Sequence, residues 1–252
     1  MAFRIAVSGK GGVGKTSVSA LLVLRLIARR ARPVLAVDAD PNTCLDAVLG
    51  VKAESTIGKV REDARDAAGK GLSAGISKQE LFEMKLAESL VETENFDLIA
   101  MGRPEGPGCY CYANNVLKQA LGQVSAQYPY IVMDNEAGLE NLSRRIVQKV
   151  EVLILVTDPS QRGIETVVRL KELASEMDIR YNTLAVIINR VRSGAMPAAE
   201  KILHTIGASI IMKLPDNDEI ASFAENAIPF TQLSDTNPVV KELDNFLDKI
   251  LL

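Results

Sequence analysis

The stretch Gly9-Lys10-Gly11-Gly12-Val13-Gly14-Lys15-Thr16 decides the fold. It follows an apolar strand, Phe3-Arg4-Ile5-Ala6-Val7, and opens an apolar helix over Val18 to Ile27. Every fixed position of the phosphate-binding pattern G-x-x-x-x-G-K-[ST] is met, in the strand–loop–helix setting that the pattern requires. Glycines let backbone N–H groups turn inward around phosphate oxygens. The helix start adds a partial positive charge and free N–H donors. Lys15 can reach the β and γ phosphates, and the Thr16 hydroxyl can ligate Mg²⁺. The alternative is a Gly-rich turn carrying a chance lysine, but the flanking strand and helix favour the phosphate loop.

Lys10 sharpens this reading. The sequence GKGGVGKT resembles the deviant phosphate loop of the MinD/ParA/nitrogenase-iron-protein class of ATPases. In that class the early lysine crosses to the nucleotide of a partner subunit, so the resemblance implies an ATP-dependent homodimer. It implies nucleotide contacts from Gly11, Gly12, Val13, Gly14, Lys15, Thr16 and Ser17, with Lys10 and Lys15 in catalytic roles. The plainer alternative is that Lys10 coats a phosphate in its own subunit.

Bulk properties narrow the function classes. The 252 residues suffice for one large α/β domain, expected to span residues 1–252. A net charge of −3 and a pI near 5.4 provide no global basic field for nucleic acid. Aromatic residues make up 4% and Trp is absent, which argues against base-stacking surfaces. The start, MAFRIAVSGK, reads as a short strand, its apolar run broken at Ser8, and not as a signal peptide. No apolar run approaches the ~20 residues needed to cross a bilayer. Three cysteines without an export signal point to a reducing cytoplasm, where close cysteines serve metal or redox chemistry more than structural disulfides.

Apolar runs alternate with helix-period segments along the chain. The expected strands are Ile5 to Ser8, Val34 to Asp38, Asp97 to Met101, Tyr130 to Asp134, Val152 to Thr157, Thr183 to Asn189 and Ser209 to Lys213. Their Val/Ile content without alternation suits a parallel sheet buried on both faces. The expected helices are Thr16 to Arg30, Lys78 to Val91, Ala113 to Gln127, Asn141 to Val150, Ile164 to Met177 and Pro197 to His204, with a last one from Pro238 to the end. This order predicts an α/β P-loop fold: a doubly wound, mainly parallel sheet with helices on both faces and ligands at the carboxyl ends of the strands. Glu54 to Ser77 is polar and weakly periodic, and reads as a surface excursion.

Carboxylates fall at the expected strand ends. Asp38 closes the second strand in AVDADPN, Asp40 follows two residues later, and Asp134 ends another strand in YIVMDNEAG. Such positions meet the crevice of the phosphate loop and can hold the Mg²⁺ water shell; each Asp can also be a helix cap or turn residue. VDADPN matches the first switch of the deviant-loop ATPases, which implies that Asp40 positions the attacking water, with Asp38 beside it. DNEAG resembles their second switch, which implies Asp134 on the magnesium side and Gly138 as the γ-phosphate sensor. Asn135 and Glu136 stand where that class usually has Thr-Pro. IINRVR and KLPDND resemble its base pocket and imply adenine contacts from Asn189, Pro215 and Asp216. Spacing alone also permits a turn role for Asn189.

The second strong feature is GRPEGPGCYCYANN, Gly102 to Asn115. Cys109 and Cys111 sit one residue apart in a Gly/Pro-rich loop, whereas buried structural cysteines usually lie in apolar elements. A helix from Ala113 would place both thiols near its N-terminus, which favours the metal-binding thiolate. Two inert thiols or a redox pair are the alternatives. Four S or N donors close a thiophilic site. Cys44 reads as a small core thiol at a helix start and His204 as a surface histidine in a last helical turn, so one subunit supplies half a site. Two subunits facing each other supply Cys₄ on a two-fold axis.

With the phosphate loop and both switches, this cysteine loop resembles the CooC/AcsF group, nickel-insertion accessory ATPases for carbon monoxide dehydrogenase and acetyl-CoA synthase. The resemblance runs from about residue 3 to 217. It implies that Cys109 and Cys111 bind Ni²⁺ or Zn²⁺ across a dimer and that one of those two enzymes is the partner, with neither nucleic acid nor membrane involved. Two rivals stand beside it. An iron–sulfur-bridged ATPase like the nitrogenase iron protein carries its cysteines on separate loops. A MinD/ParA-type positioning ATPase acts on membrane or DNA; the segment PVVKELDNFLDKILL is amphipathic but mixed in charge, and reads as a core-packed last helix.

Overall fold

The computed structural model describes residues 2–60, 80, 84, 87–103, 117–122, 124–138, 149–192 and 196–251. Its centre is an eight-stranded sheet in the order β3-β4-β2-β5-β1-β6-β7-β8. The strands are β1 (Phe3–Gly9), β2 (Val34–Asp38), β3 (Leu90–Glu92), β4 (Phe96–Ala100), β5 (Tyr130–Asp134), β6 (Lys149–Thr157), β7 (Arg180–Val191) and β8 (Ile210–Pro215). All pair in parallel except β3, which runs antiparallel to β4 at the sheet edge. This is the doubly wound, mainly parallel fold that the alternation of elements predicts.

β1 holds the middle of the sheet. It pairs with β5 from Phe3↔Tyr130 to Val7↔Asp134, and with β6 from Ile5↔Val152 to Gly9↔Val156. Strands β2 to β5 build one side of β1 and β6 to β8 the other, so the order reverses there. A crevice opens beyond the carboxyl end of a strand at such a switch point, and here the phosphate loop leaves that end.

Alternate side chains of β1 feed two cores. Ile5 and Val7 join the face covered by α1 (Lys15–Ala28) and α6 (Pro238–Ile250), together with the short α2 (Leu45–Leu49). Ala6 joins the opposite face, where α3 (Gln161–Glu176), α4 (Pro197–Thr205) and the helical residues 117–122 pack. Burial on both faces explains why these strands lack the polar alternation of a half-exposed sheet.

The last helix bears out the core-packed reading: Val239, Val240, Leu243, Phe246 and Leu247 are buried. An ionic clamp adds to this packing. Asp244 accepts from Arg25 Nε at 2.9 Å and from Arg29, whose Nη2 also reaches the Asp244 carbonyl at 2.7 Å and Asp248 at 3.0 Å. Desolvation works to raise the Asp244 pKa, but the hydrogen bonds from the two arginines outweigh it and hold the carboxyl below its ordinary value. Among the described residues no helix is long and apolar enough to cross a membrane.

Several expectations need correction. The helix expected over Lys78 to Val91 does not reach its end: Leu90 and Val91 lie in β3, where pairing with Leu98 and Ile99 of β4 overrides the helical period. Val150, expected to close a helix from Asn141, is buried in β6 opposite Tyr181 of β7; residues 141–148 lie outside the described residues. The excursion expected over Glu54 to Ser77 is not wholly superficial, because Ile57 and Val60 are buried; residues 61–77 are outside the described set. The sequence reading did not anticipate α2 or α5 (Asp218–Glu225), although α5 carries a legible signal. Its cap Asn217 accepts from the Ile220 amide at 3.0 Å, and Asp218 and Glu219 fill the first turn.

Because Phe246 is among the largest fully buried side chains, Phe246→Ala is expected to destabilise the protein by about 3–5 kcal/mol. Urea denaturation followed by circular dichroism measures the loss.

Candidate functional site

The phosphate loop turns from β1 into α1 through Gly14, which caps the helix at φ 93°. A Cβ there would lie 2.5 Å from Asn189 Nδ2, so both conformation and space demand glycine. Asn189 closes the loop from outside: its Nδ2 donates to the Val13 carbonyl at 2.8 Å, and Arg190 Nη1 reaches the Gly12 carbonyl at 3.3 Å. Gly11 and Gly12 are exposed and Val13 is buried beneath them. Lys15 is buried at the first helical position, and its Nζ donates to the Lys10 carbonyl at 3.3 Å. Lys10 is exposed on the rim of the loop. Its charge and that of Arg190 act on Asp158, whose pKa is lowered chiefly by a hydrogen bond from Ser160.

Two carboxylates lie beneath the loop. Asp38 and Asp134 are register partners at the ends of β2 and β5, and each is 1% exposed. Ser19 of α1 donates to Asp134 Oδ1 at 3.0 Å, and Thr16 also hydrogen-bonds this carboxyl. Burial pushes the Asp134 pKa up to about 7. Thr16 and Ser19 hydrogen bonds and the Lys15 charge oppose the rise, while the neighbouring Asp38 adds to it.

Asp38 organises the loop that follows it. Its Oδ1 accepts from the Asp40 amide at 3.0 Å, and its Oδ2 accepts from the amides of Cys44 and Leu45 at 2.8 and 2.9 Å. Burial is the largest influence on its pKa and raises it to about 6, against the pull of those three amides. Asp40 is half-buried, and its Oδ1 takes both the backbone and the side-chain N–H of Asn42.

The second-switch stretch rests against β1. The Asn135 amide and Nδ2 both donate to the Val7 carbonyl, at 3.1 and 3.0 Å, and the Gly138 amide donates to the Gly9 carbonyl at 3.0 Å. The remaining expected residues line a cleft of about 340 Å³ beside α1, where Asn189, Pro215 and Asp216 meet Ser17, Val18 and Ile220. The sequence thus brings its distant candidate base contacts to one wall, next to the phosphate loop. Asp216 also accepts from Arg192 Nε at 2.8 Å.

Cys109 and Cys111 lie outside the described residues. Among those described, no group of three or more His, Cys, Asp or Glu is arranged to hold a metal ion. Cys44 precedes α2 as expected, but it is exposed and not a core thiol, because the Asp38 carboxylate ties its amide to the loop while Leu45 takes the buried position. Desolvation, then the charges of Asp38 and Asp40, push its thiol pKa up, which disfavours the thiolate. His204 is exposed in the last turn of α4, as read.

The sequence reading missed Ser19, Asn42, Arg103 and Asp158. Asp158 carried the same signal as Asp38 and Asp134, a carboxylate just past a buried strand. Ser19 lies one helical turn beyond Lys15, on the face turned to the sheet.

Comparison with known proteins agrees with this geometry. Residues 5–230 match the family model described as the CobQ/CobB/MinD/ParA nucleotide binding domain. An uncharacterized ATP-binding protein of Methanocaldococcus jannaschii is 41% identical over 248 residues, 98% of each chain. The carbon monoxide dehydrogenase accessory protein CooC of Rhodospirillum rubrum is 29% identical over 201 residues, 75% of each chain. The septum site-determining protein MinD of Thermotoga maritima is also 29% identical, over 98% of this chain and 86% of its own. Among solved structures, a ParA family ATPase from Chlorobium tepidum superposes with a TM-score of 0.73 at 19% identity, covering 98% of both chains.

The raised carboxyls give a pH signature. Native Asp134 keeps its proton up to about pH 7, whereas the ordinary value is 3.8. Between those values the native state binds the extra proton, so stability falls as pH rises through the window, and the full cost stands above it. Nucleotide-free Asp134→Asn protein is therefore expected to exceed the parent in stability by about 2–4 kcal/mol at pH 8. The gap should close towards pH 4, as read from denaturant midpoints across the range.

Proposed function

The chain belongs to the CobQ/CobB/MinD/ParA nucleotide-binding family, a family of P-loop ATPases, and from that premise we propose that it is an ATP-dependent nickel or zinc metallochaperone that works as a homodimer. One observation carries the proposal: the stretch that holds the C-x-C pair Cys109/Cys111, Gly102 to Asn115, starts at the end of a strand bonded to Asp38, where the first switch begins. The Met101 amide donates to the Asp38 carbonyl at 2.8 Å, and the cysteine stretch begins immediately afterwards. The similarity to a carbon monoxide dehydrogenase accessory protein supports the choice of cargo. The client would be carbon monoxide dehydrogenase or acetyl-CoA synthase.

In this reading Gly11 to Ser17 wrap the phosphates, and Lys15 neutralises charge as it builds on them. Lys10, exposed on the rim, serves the nucleotide of the partner subunit. Asp40 orients the attacking water, and Gly138 frees the backbone of the second switch to sense the γ-phosphate. Asn189, Pro215 and Asp216 hold the adenine. Two carboxylates buried side by side, each with its pKa raised chiefly by burial, fit a divalent cation, so Thr16 and Asp134, with Asp38 alongside, are the residues that would hold Mg²⁺. When bound, that ion supplies charge neutralisation to the phosphates. Nickel or zinc is cargo, taken by two Cys109/Cys111 pairs facing each other and released when hydrolysis relaxes the switches.

A positioning ATPase is the second reading, favoured by the MinD relative that aligns over nearly the whole chain. Against a membrane role for the last helix stands the burial of its apolar face.

Titration of the reduced protein with nickel and zinc, with stoichiometry and mass read together, tests the choice. The expected result is one metal per two chains, lost in Cys109→Ser/Cys111→Ser, and an ATP-dependent dimer lost in Lys10→Ala. No metal, or one per chain independent of those thiols, overturns the metallochaperone reading. ATP-dependent sedimentation with liposomes or DNA would then support the positioning ATPase.

A further inference from the structure

Asp40 sits in a loop that is fixed twice. Its main chain is held from inside by Asp38, which accepts the Asp40, Cys44 and Leu45 amides. Its side chain is held from outside by Asn42, which places two N–H donors on Oδ1, at 2.8 Å from the backbone and 2.9 Å from Nδ2. Both donors fall on the same oxygen, so this clamp spares Oδ2.

The Asn42 clamp has an ambiguity of its own. A carboxamide presents an acceptor on one side and a donor on the other, and the two are nearly the same in shape. Rotated by half a turn, Asn42 would aim its carbonyl oxygen at the Asp40 carboxylate and repel it. Arg103 resolves this. Its Nη2 donates to Asn42 Oδ1. A guanidinium has donors and no acceptor, so it can satisfy only the oxygen of the amide. Holding that oxygen leaves Nδ2 turned to Asp40.

Arg103 is itself anchored. β4 ends beside β2, with the Met101 amide on the Asp38 carbonyl, and the Gly58 amide donates to the Met101 carbonyl at 2.8 Å. Gly102 turns the chain at φ 64°, where a Cβ would lie 2.2 Å from Thr56 Oγ1. Arg103 and Asn42 are both exposed, where such a contact contributes little to stability. Its effect lies in orientation.

We propose that Arg103 is a positioning residue for ATP hydrolysis, acting on Asp40 through the amide orientation of Asn42. The proposal rests on the reading of Asp40 as the residue that orients the attacking water. Nothing in the family resemblance assigns this role to Arg103, and it adds to the reaction a contact from the strand end that leads into the cysteine stretch.

Single-turnover hydrolysis of radiolabelled ATP by the full chain tests it, with nucleotide affinity and melting temperature measured in parallel. Asp40→Asn is expected to lower the rate by roughly a hundredfold or more. Arg103→Ala is expected to lower it by about tenfold, since small misplacements of a reacting group carry losses of up to ~10². Affinity for Mg-ATP and the melting temperature should stay at the parent's values. Asn42→Ala should match that loss, and the double variant should lose no more than either single one. Arg103→Lys, which still donates to Oδ1, should recover part of the rate. If Asp40→Asn is inactive while Arg103→Ala keeps the parent's rate, the role of Arg103 is overturned and the reading of Asp40 stands. If Asp40→Asn hydrolyses ATP like the parent, both fall. A rate loss in Arg103→Ala that comes with lost nucleotide affinity or a lowered melting temperature assigns Arg103 to the scaffold and overturns the proposal.

Discussion

Two carboxylates buried side by side, Asp38 and Asp134, are the constraint around which the site is arranged. Their backbones are paired in register at the ends of adjacent parallel strands. Neither sits in a polar pocket of its own, so each must be stabilised by groups brought from elsewhere. Asp134 draws on Thr16 and Ser19, which fixes the rotation of α1 against the sheet. Asp38 draws on three backbone amides, which fixes the path of the loop carrying Asp40. The cost of burying two like charges is thus tied to the placement of both the phosphate loop and the first switch. A site that is expensive to build without its ligand favours the ligand that removes the expense, here a cation with its phosphates.

The outer ring of contacts does different work. Asn189 and Arg190, from β7, close on the carbonyls of the phosphate loop. Asn135 and Gly138 tie the second-switch stretch to β1. These are hydrogen bonds to backbone groups, and they hold shape without introducing charge. The Thr-Pro usual at this switch is replaced by Asn135 and Glu136, and Asn135 uses its side chain to double the bond to Val7. Pre-set geometry of this kind is what electrostatic catalysis requires, because donors already in place need not reorganise during reaction.

Much of this is legible in the sequence alone. The phosphate loop and the alternation of apolar strands with helices predicted the sheet, since parallel strands buried on both faces leave a continuous Val/Ile signature. The carboxylates at strand ends were legible for the same reason, as polar residues ending runs that are otherwise wholly apolar. What could not be read depends on long-range pairing. β3 is three residues long, and only its partner β4 makes it a strand. Val150 has a helical neighbourhood in sequence and a strand neighbourhood in space. Cys44 looked like a core thiol because Leu45 and Leu49 beside it are core residues; its own exposure follows from the Asp38 hydrogen bonds, which no local pattern encodes. Asn42 and Arg103 are 61 positions apart, and neither carries a signal by itself.

The central place of β1 has a consequence for how the chain is made. Its first partner, β5, begins at Tyr130 and its other partner, β6, pairs with it from Val152. At synthesis rates of about 5–20 residues per second, β1 leaves the ribosome on the order of ten seconds before either neighbour exists. During that interval the phosphate loop cannot be framed by its sheet, and the nascent chain carries an unpaired apolar strand. Sheets closed by such distant partners form late and slowly. Nucleotide therefore has no complete site to bind until β5 and β6 have emerged, and the segment carrying β1 is a natural client for whatever shields unfinished chains in the cell.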